Sequence, residues 1–80
     1  MGITMNDVTM DVLVFKTDIQ NENDLGRVAT LLNGQQNIQR WNVDQTDVDN
    51  ILRIESYALR TEEVIALVGH AGFQCEELPD

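Results

Sequence analysis

The chain has 80 residues, 14 acidic and 5 basic, for a net charge of −9 with His70 neutral. That length fits one small domain, and that charge excludes a nucleic-acid binder built on clustered Lys and Arg and disfavours docking on anionic membranes. A single cysteine excludes an internal disulfide.

The longest apolar run, Val64 to Val68, is far shorter than the roughly 20 residues of a membrane helix. No charged segment followed by an apolar one opens the sequence, so no secretory leader is expected and a reducing cytoplasm is the expected compartment. Residues 1–10, MGITMNDVTM, have no clean period and predict a flexible N-terminal tail, with a first strand extended backwards by a few residues as the alternative. One domain is expected over 11–78.

Asp11 to Thr17 predicts a strand of aliphatic, β-branched and aromatic residues. Leu13, Phe15 and Thr17 fall on one face, Val12, Val14 and Lys16 on the other. Leu25, Val28, Ala29 and Leu32 then recur at helical spacing. Asn23 or Asn21 can cap that helix, Glu22 and Asp24 suit its first turn, and Gly34 follows Asn33 as its stop. Gly26 inside it costs about 1 kcal/mol relative to Ala.

Ile38 to Asp44 predicts a second strand, with Trp41 and Val43 facing in and Arg40 and Asn42 facing out. A polar loop holding Asp47 and Asp49 leads to a third strand, Asn50 to Glu55. Leu52 and Ile54 are its inward residues, Ile51 and Arg53 its outward ones. Thr61 is the expected cap of a second helix, with Glu62 and Glu63 in its first turn. Its apolar stripe is Val64, Leu67, Val68 and Ala71, and Gly72 ends it. Phe73 to Leu78 predicts the last strand, and Pro79 stops it.

This order predicts an α+β, ferredoxin-like βαββαβ sandwich: a four-stranded antiparallel sheet with two helices on one face. The other sheet face is left open.

In that order the local text resembles heavy-metal-associated domains of the metallochaperone type. The residues that carry the resemblance are Phe15-Lys16-Thr17-Asp18-Ile19, Trp41-Asn42-Val43-Asp44, Ile51-Leu52-Arg53-Ile54 and Ala71-Gly72-Phe73. It spans residues 11–78. The resemblance implies a Cys-x-x-Cys site for soft ions such as copper(I) or zinc, between the first strand and first helix. Carried over by position, those cysteines fall on Asn21 and Asp24, within Asn21-Glu22-Asn23-Asp24. Neither is sulfur, so copper(I) bound by thiolates is not expected.

Asp18, Asn21, Glu22 and Asp24 make that loop rich in oxygen, which hard cations prefer. The same residues are what a helix start needs, and capping is their expected role. Asp44, Asp47 and Asp49 form a second acidic group, expected as a solvated hairpin turn. His70 has no evident partner ligand and is expected at the surface. Cys75 alternates inward with Phe73 and is expected as a small buried thiol. Trp41 is expected to fill the core beneath a helix.

The open face gathers Val12, Val14, Lys16, Arg40, Asn42, Ile51, Arg53, Gln74 and Glu76. Three of the five basic residues lie there. Aliphatics flanked by arginine suit partner recognition, with Val12, Val14, Arg40, Ile51 and Arg53 as the candidate surface. Cross-strand Arg–Glu pairing on an ordinary solvated face is the alternative.

No nucleophile–base pair, phosphate-cradling glycine loop or pocketed acidic pair is present, so no enzyme is expected. The expected function is a small, non-catalytic heavy-metal-associated-like module, without a thiolate metal site, for protein interaction or regulation. It needs no cofactor, and its partner is an unidentified protein or a second copy. The alternative is a metal-ion-binding or transport protein using Asp18, Asn21, Glu22 and Asp24 as oxygen ligands.

Overall fold

The computed structural model describes residues 10–78. The expected tail therefore lies, apart from the exposed Met10, outside the described residues. The elements are β1 (Asp11–Thr17), α1 (Glu22–Leu32), β2 (Ile38–Asp44), β3 (Ile51–Ser56), α2 (Thr61–His70) and β4 (Cys75–Glu77). The strands form one antiparallel sheet in the order β2-β3-β1-β4. This is the ferredoxin-like arrangement the sequence predicts.

The two central strands carry the core. Phe15, Leu52 and Ile54 are fully buried and meet Val28 and Leu32 from α1 and Val64 and Val68 from α2. Strand alternation sends each of the three to the helix side, and helical spacing sends the four back to the sheet. Removing the Phe15 ring would cost about 3–5 kcal/mol, the range for large-to-small core changes.

Several boundaries differ from the expected ones. β3 begins at Ile51, because Asn50 adopts a left-handed φ of 44° that closes the preceding turn. Asn is among the few residues that tolerate this region. Arg60, not Thr61, is the cap residue of α2. The Glu63 carboxylate accepts from the Arg60 backbone N–H at 2.8 Å, so the acid three residues on closes this end. The Thr61 hydroxyl instead lies 3.4 Å from a Glu77 carboxylate oxygen.

β4 spans three residues rather than the expected six. The Phe73 N–H donates to the Val68 carbonyl and the Gln74 N–H to Asp18 Oδ1, so neither extends the ladder. Gln74 thus leaves the open face predicted for it. Gly72 does end α2, with φ +93°, a conformation that favours glycine. Gly34 follows the α1 cap Asn33 without a left-handed φ.

Candidate functional site

The loop between β1 and α1 holds Asn21 and Asp24, the positions at which the resemblance implies cysteines. Asn21 is the α1 cap, in an extended conformation, and its Oδ1 accepts from the Asp24 backbone N–H at 2.9 Å. Asp24 returns the contact one residue earlier: its Oδ2 accepts from the Gln20 N–H at 3.0 Å. Asn21 thus caps the first turn of α1, and Asp24 holds the residue that precedes the cap. Asp24 and Glu22 also place negative charge at the positive end of the α1 dipole.

Asp18 is turned elsewhere. Its Oδ1 accepts from the Gln74 N–H across to the segment before β4, at 2.8 Å. Three of the four oxygen-bearing candidates therefore each hold a backbone N–H. Among the described residues, no three His, Cys, Asp or Glu side chains gather so as to hold a metal ion. Thr17 anchors the loop from below. Its hydroxyl donates to the Asn50 carbonyl at 2.6 Å and accepts from the Ile19 N–H at 3.2 Å.

The second acidic group is bound to its own turn. Asp44 Oδ1 accepts from both the N–H and the hydroxyl of Thr46, and Asp47 Oδ1 accepts from the Asp49 N–H. The Thr46 hydroxyl first, then its N–H, hold the Asp44 carboxyl below its ordinary value. Asp49 lies 3.7 Å from Lys16 Nζ.

Cys75 sits opposite Thr17, at the end of β1 that feeds the loop. The register thus brings the chain's cysteine close to the loop in the sheet, although it is distant in sequence. Burial pushes its thiol up to about 12, so it is protonated at neutral pH and a poor ligand or nucleophile. His70 is exposed, as expected. Trp41 is half-buried against the core, and its Nε1 donates to Asn33 Oδ1 at 2.9 Å.

The open face is assembled by strand register. Val14 lies opposite Arg53, and Arg53 opposite Asn42 on its other side. Val12 and Arg40 both flank Glu55, with Arg40 Nε 3.8 Å from its carboxylate. Lys16 pairs with Glu76, and Ile51 with Asp44. Val12 is 56% exposed and Val14 half-buried. Glu55 lies inside the expected third strand, in phase with Ile51 and Arg53, and so belongs to this face although it is not among the residues expected there.

Arg27 was also missed. Its guanidinium donates to the Ala71 carbonyl at 2.6 Å and stacks 5.0 Å from the Phe73 ring centre. It ties α1 to the end of α2. A solvent-facing arginine on a helix gives no sign of this in sequence, since the partners lie 44 residues on and beyond.

No protein-family model matches the sequence, and comparison with curated proteins gives no match. Solved structures do match. The first domain of the human copper chaperone for SOD1, in its copper(I)-loaded form, superposes with a TM-score of 0.73 at 23% identity, over 86% of this chain and 93% of that one. The apo heavy-metal-associated domain of a copper chaperone for superoxide dismutase gives 0.76 at 22% identity, over 99% and 78%. The yeast copper transporter domain Ccc2a gives 0.72 at 14% identity, over 86% and 96%. The fold is that of heavy-metal-associated domains, and its solved neighbours are copper-chaperone and copper-transporter modules.

Proposed function

We propose that residues 11–78 form one non-catalytic interaction or regulatory module, on a metal-carrier scaffold that does not hold copper(I) through thiolates. The observation that carries this reading is the pair Asn21 and Asp24. They stand at the two cysteine positions that the resemblance implies, and each accepts a backbone N–H. Oxygen ligands hold copper(I) poorly, and the protonated Cys75 does not replace the missing sulfur.

The open face is the recognition surface, through Val12, Val14, Arg40, Ile51 and Arg53. Exposed aliphatics beside arginines suit a protein partner, since interfaces enrich arginine around an apolar centre. Docking by domains of this fold has a precedent in the neighbour solved as the Atx1–Cu(I)–Ccc2a complex. The module works in the cytoplasm on a protein partner. Among the described residues no helix is long and apolar enough to cross a membrane.

Amide NMR with copper(I), zinc and calcium, added in turn under reducing conditions, tests the reading. No saturable shifts are expected over residues 17–25. Saturable shifts confined to that loop would replace it with metal binding through Asp18, Asn21, Glu22 and Asp24. For the face, Val14→Asp is expected to abolish capture of a partner that the parent chain binds. Unchanged capture would remove the face from the reading.

A further inference from the structure

β2 is an outer strand of the sheet, paired with β3 on one side and with nothing among the described residues on the other. It is also the longer edge: β4 spans three residues and β2 seven. A long, unpaired edge is a template for another strand.

The sequence of that edge reads Arg40-Trp41-Asn42-Val43-Asp44. Turned antiparallel on itself about Asn42, it sets Arg40 of one copy opposite Asp44 of the other, twice. It sets Trp41 opposite Val43, also twice. Arg40, Asn42 and Asp44 share the open face, and Trp41 and Val43 share the helix side, so each pair meets on one face. Opposite charges and aromatic–β-branched partners are the favourable cross-strand pairs. The Arg40 side chain is 76% exposed and only 3.8 Å from Glu55, loose enough to reach outward. The register shift between Ile38 and Arg40 in the β2–β3 ladder marks where the regular edge ends.

Beside this edge runs an open groove of about 480 Å³, walled by Leu25, Gly26 and Ala29 of α1 and by Trp41 and Val43. Gly26 has no explanation among the described residues of one chain. Its φ is not left-handed, and a Cβ added there would meet nothing within 4 Å. It weakens the helix and clears no contact among the described residues. Gly69 has the same open space, but lies one residue from the end of α2, where helix propensity counts for little. A bare Gly26 with Ala29 beside it fits the close approach of a second α1 over a continued sheet.

We propose that β2 pairs antiparallel with β2 of a second copy of this chain, in the register centred on Asn42, to make one continuous eight-stranded sheet. Each copy supplies the same patch, as a twofold contact requires. This deepens the interaction-module reading and rests on it for the existence of a partner. It uses the sheet's edge and groove, and of the proposed recognition face it shares Arg40 but not Val12, Val14, Ile51 or Arg53. The paired segment is short, so the interface falls in the weak class below about 1,200 Å².

The test is sedimentation equilibrium of the full chain from about 10 μM to about 1 mM, the range in which weak interfaces form. A monomer–dimer equilibrium is expected. Arg40→Asp and Asp44→Arg, each alone, place like charges opposite and weaken it by about tenfold or more. Mixed in equal amounts, the two variants form a heterodimer in which both opposite-charge pairs are restored. Gly26→Arg favours the helix, so its melting temperature holds or rises while the groove is blocked and dimerisation is lost. This variant and Arg40→Asp carry the test if Asp44→Arg fails to fold. A monomer throughout overturns the proposal and leaves the sheet face to its own test. So does a dimer that survives both of these variants. A dimer abolished by Val14→Asp and untouched at β2 also overturns it, in favour of face-to-face docking.

Discussion

Replacing Asn21 and Asp24 by cysteines, the residues the resemblance implies at those positions, is the most direct probe of the loop. In Asn21→Cys/Asp24→Cys, the metal-free chain loses the Asn21–Asp24 bond of 2.9 Å and the Asp24–Gln20 bond of 3.0 Å. Loss of a cap costs about 0.5–2 kcal/mol, so the metal-free variant should be about 1–2 kcal/mol less stable. In a domain of this size each kcal/mol lowers Tm by about 4–8 °C. Thiolates at a helix N-terminus are favoured by the same dipole that now favours Asp24. Copper(I) bound only by the folded form, at 100 times its Kd, returns about 2.7 kcal/mol and more than offsets the loss. The assay is urea unfolding of parent and variant, with and without copper(I) held by a competing chelator. The parent should show no copper(I) dependence. A metal-free variant as stable as the parent would refute the capping argument. A variant that copper(I) fails to stabilise would refute the equivalence of positions 21 and 24 with the family's thiolate site.

Ser56 is fully buried on the core side of β3, and its Oγ has no hydrogen-bond partner among the described residues. An unsatisfied buried hydroxyl costs about 1–3 kcal/mol, so Ser56→Ala should leave stability unchanged or raise it by up to about 1 kcal/mol in urea unfolding; a clear loss would show an unseen partner. Cys75, with its thiol pushed up to about 12, should react with a disulfide reagent far more slowly in the folded chain than in urea at pH 8. Equal rates would contradict its burial. Asp44, held below its ordinary value by Thr46, adds stability that is present above the unfolded carboxylate pKa and lost as pH falls through its lowered folded value. Thr46→Val should move the Asp44 carboxyl titration, followed by NMR, upward, and no movement would assign the shift to another neighbour.

The periodic parts of this fold were legible because burial dictates them. Alternation in β1 and spacing in α1 and α2 follow from which atoms must leave water, and the observed bounds of β1 and β2 match the expected ones. The misplaced boundaries share a different cause. β4 is shortened by the Asp18 carboxylate, 56 residues away in the chain, which takes the Gln74 N–H. α2 starts one residue early because Glu63 reaches back to Arg60, a bond that outweighs the local preference for a Thr cap. Both are side chain–backbone bonds formed after the elements meet, and no local window contains them. Arg27 and Asn33 were missed for the same reason, since their partners Ala71 and Trp41 are brought close only by packing.

The candidate loop was legible in a way the boundaries were not, because its demands are local. A helix start leaves N–H groups unsatisfied and a positive partial charge to be met. A pair of thiolates holding an ion and a capping pair of Asn and Asp are two answers to the same electrostatic need. Exchanging one for the other would leave the fold's requirement met; the fold itself is shared with copper-transporter and copper-chaperone domains at only 14–23% identity, with TM-scores of 0.72–0.73. What the exchange removes is softness. Sulfur holds copper(I) and amide or carboxylate oxygen does not. The two positions therefore separate scaffold from cargo: the stability of α1 depends on their having acceptors, and metal binding depends on those acceptors being sulfur. With Asn21 and Asp24 committed to capping, the surfaces proposed for recognition are those the cap leaves alone, the Arg-flanked sheet face and the bare β2 edge.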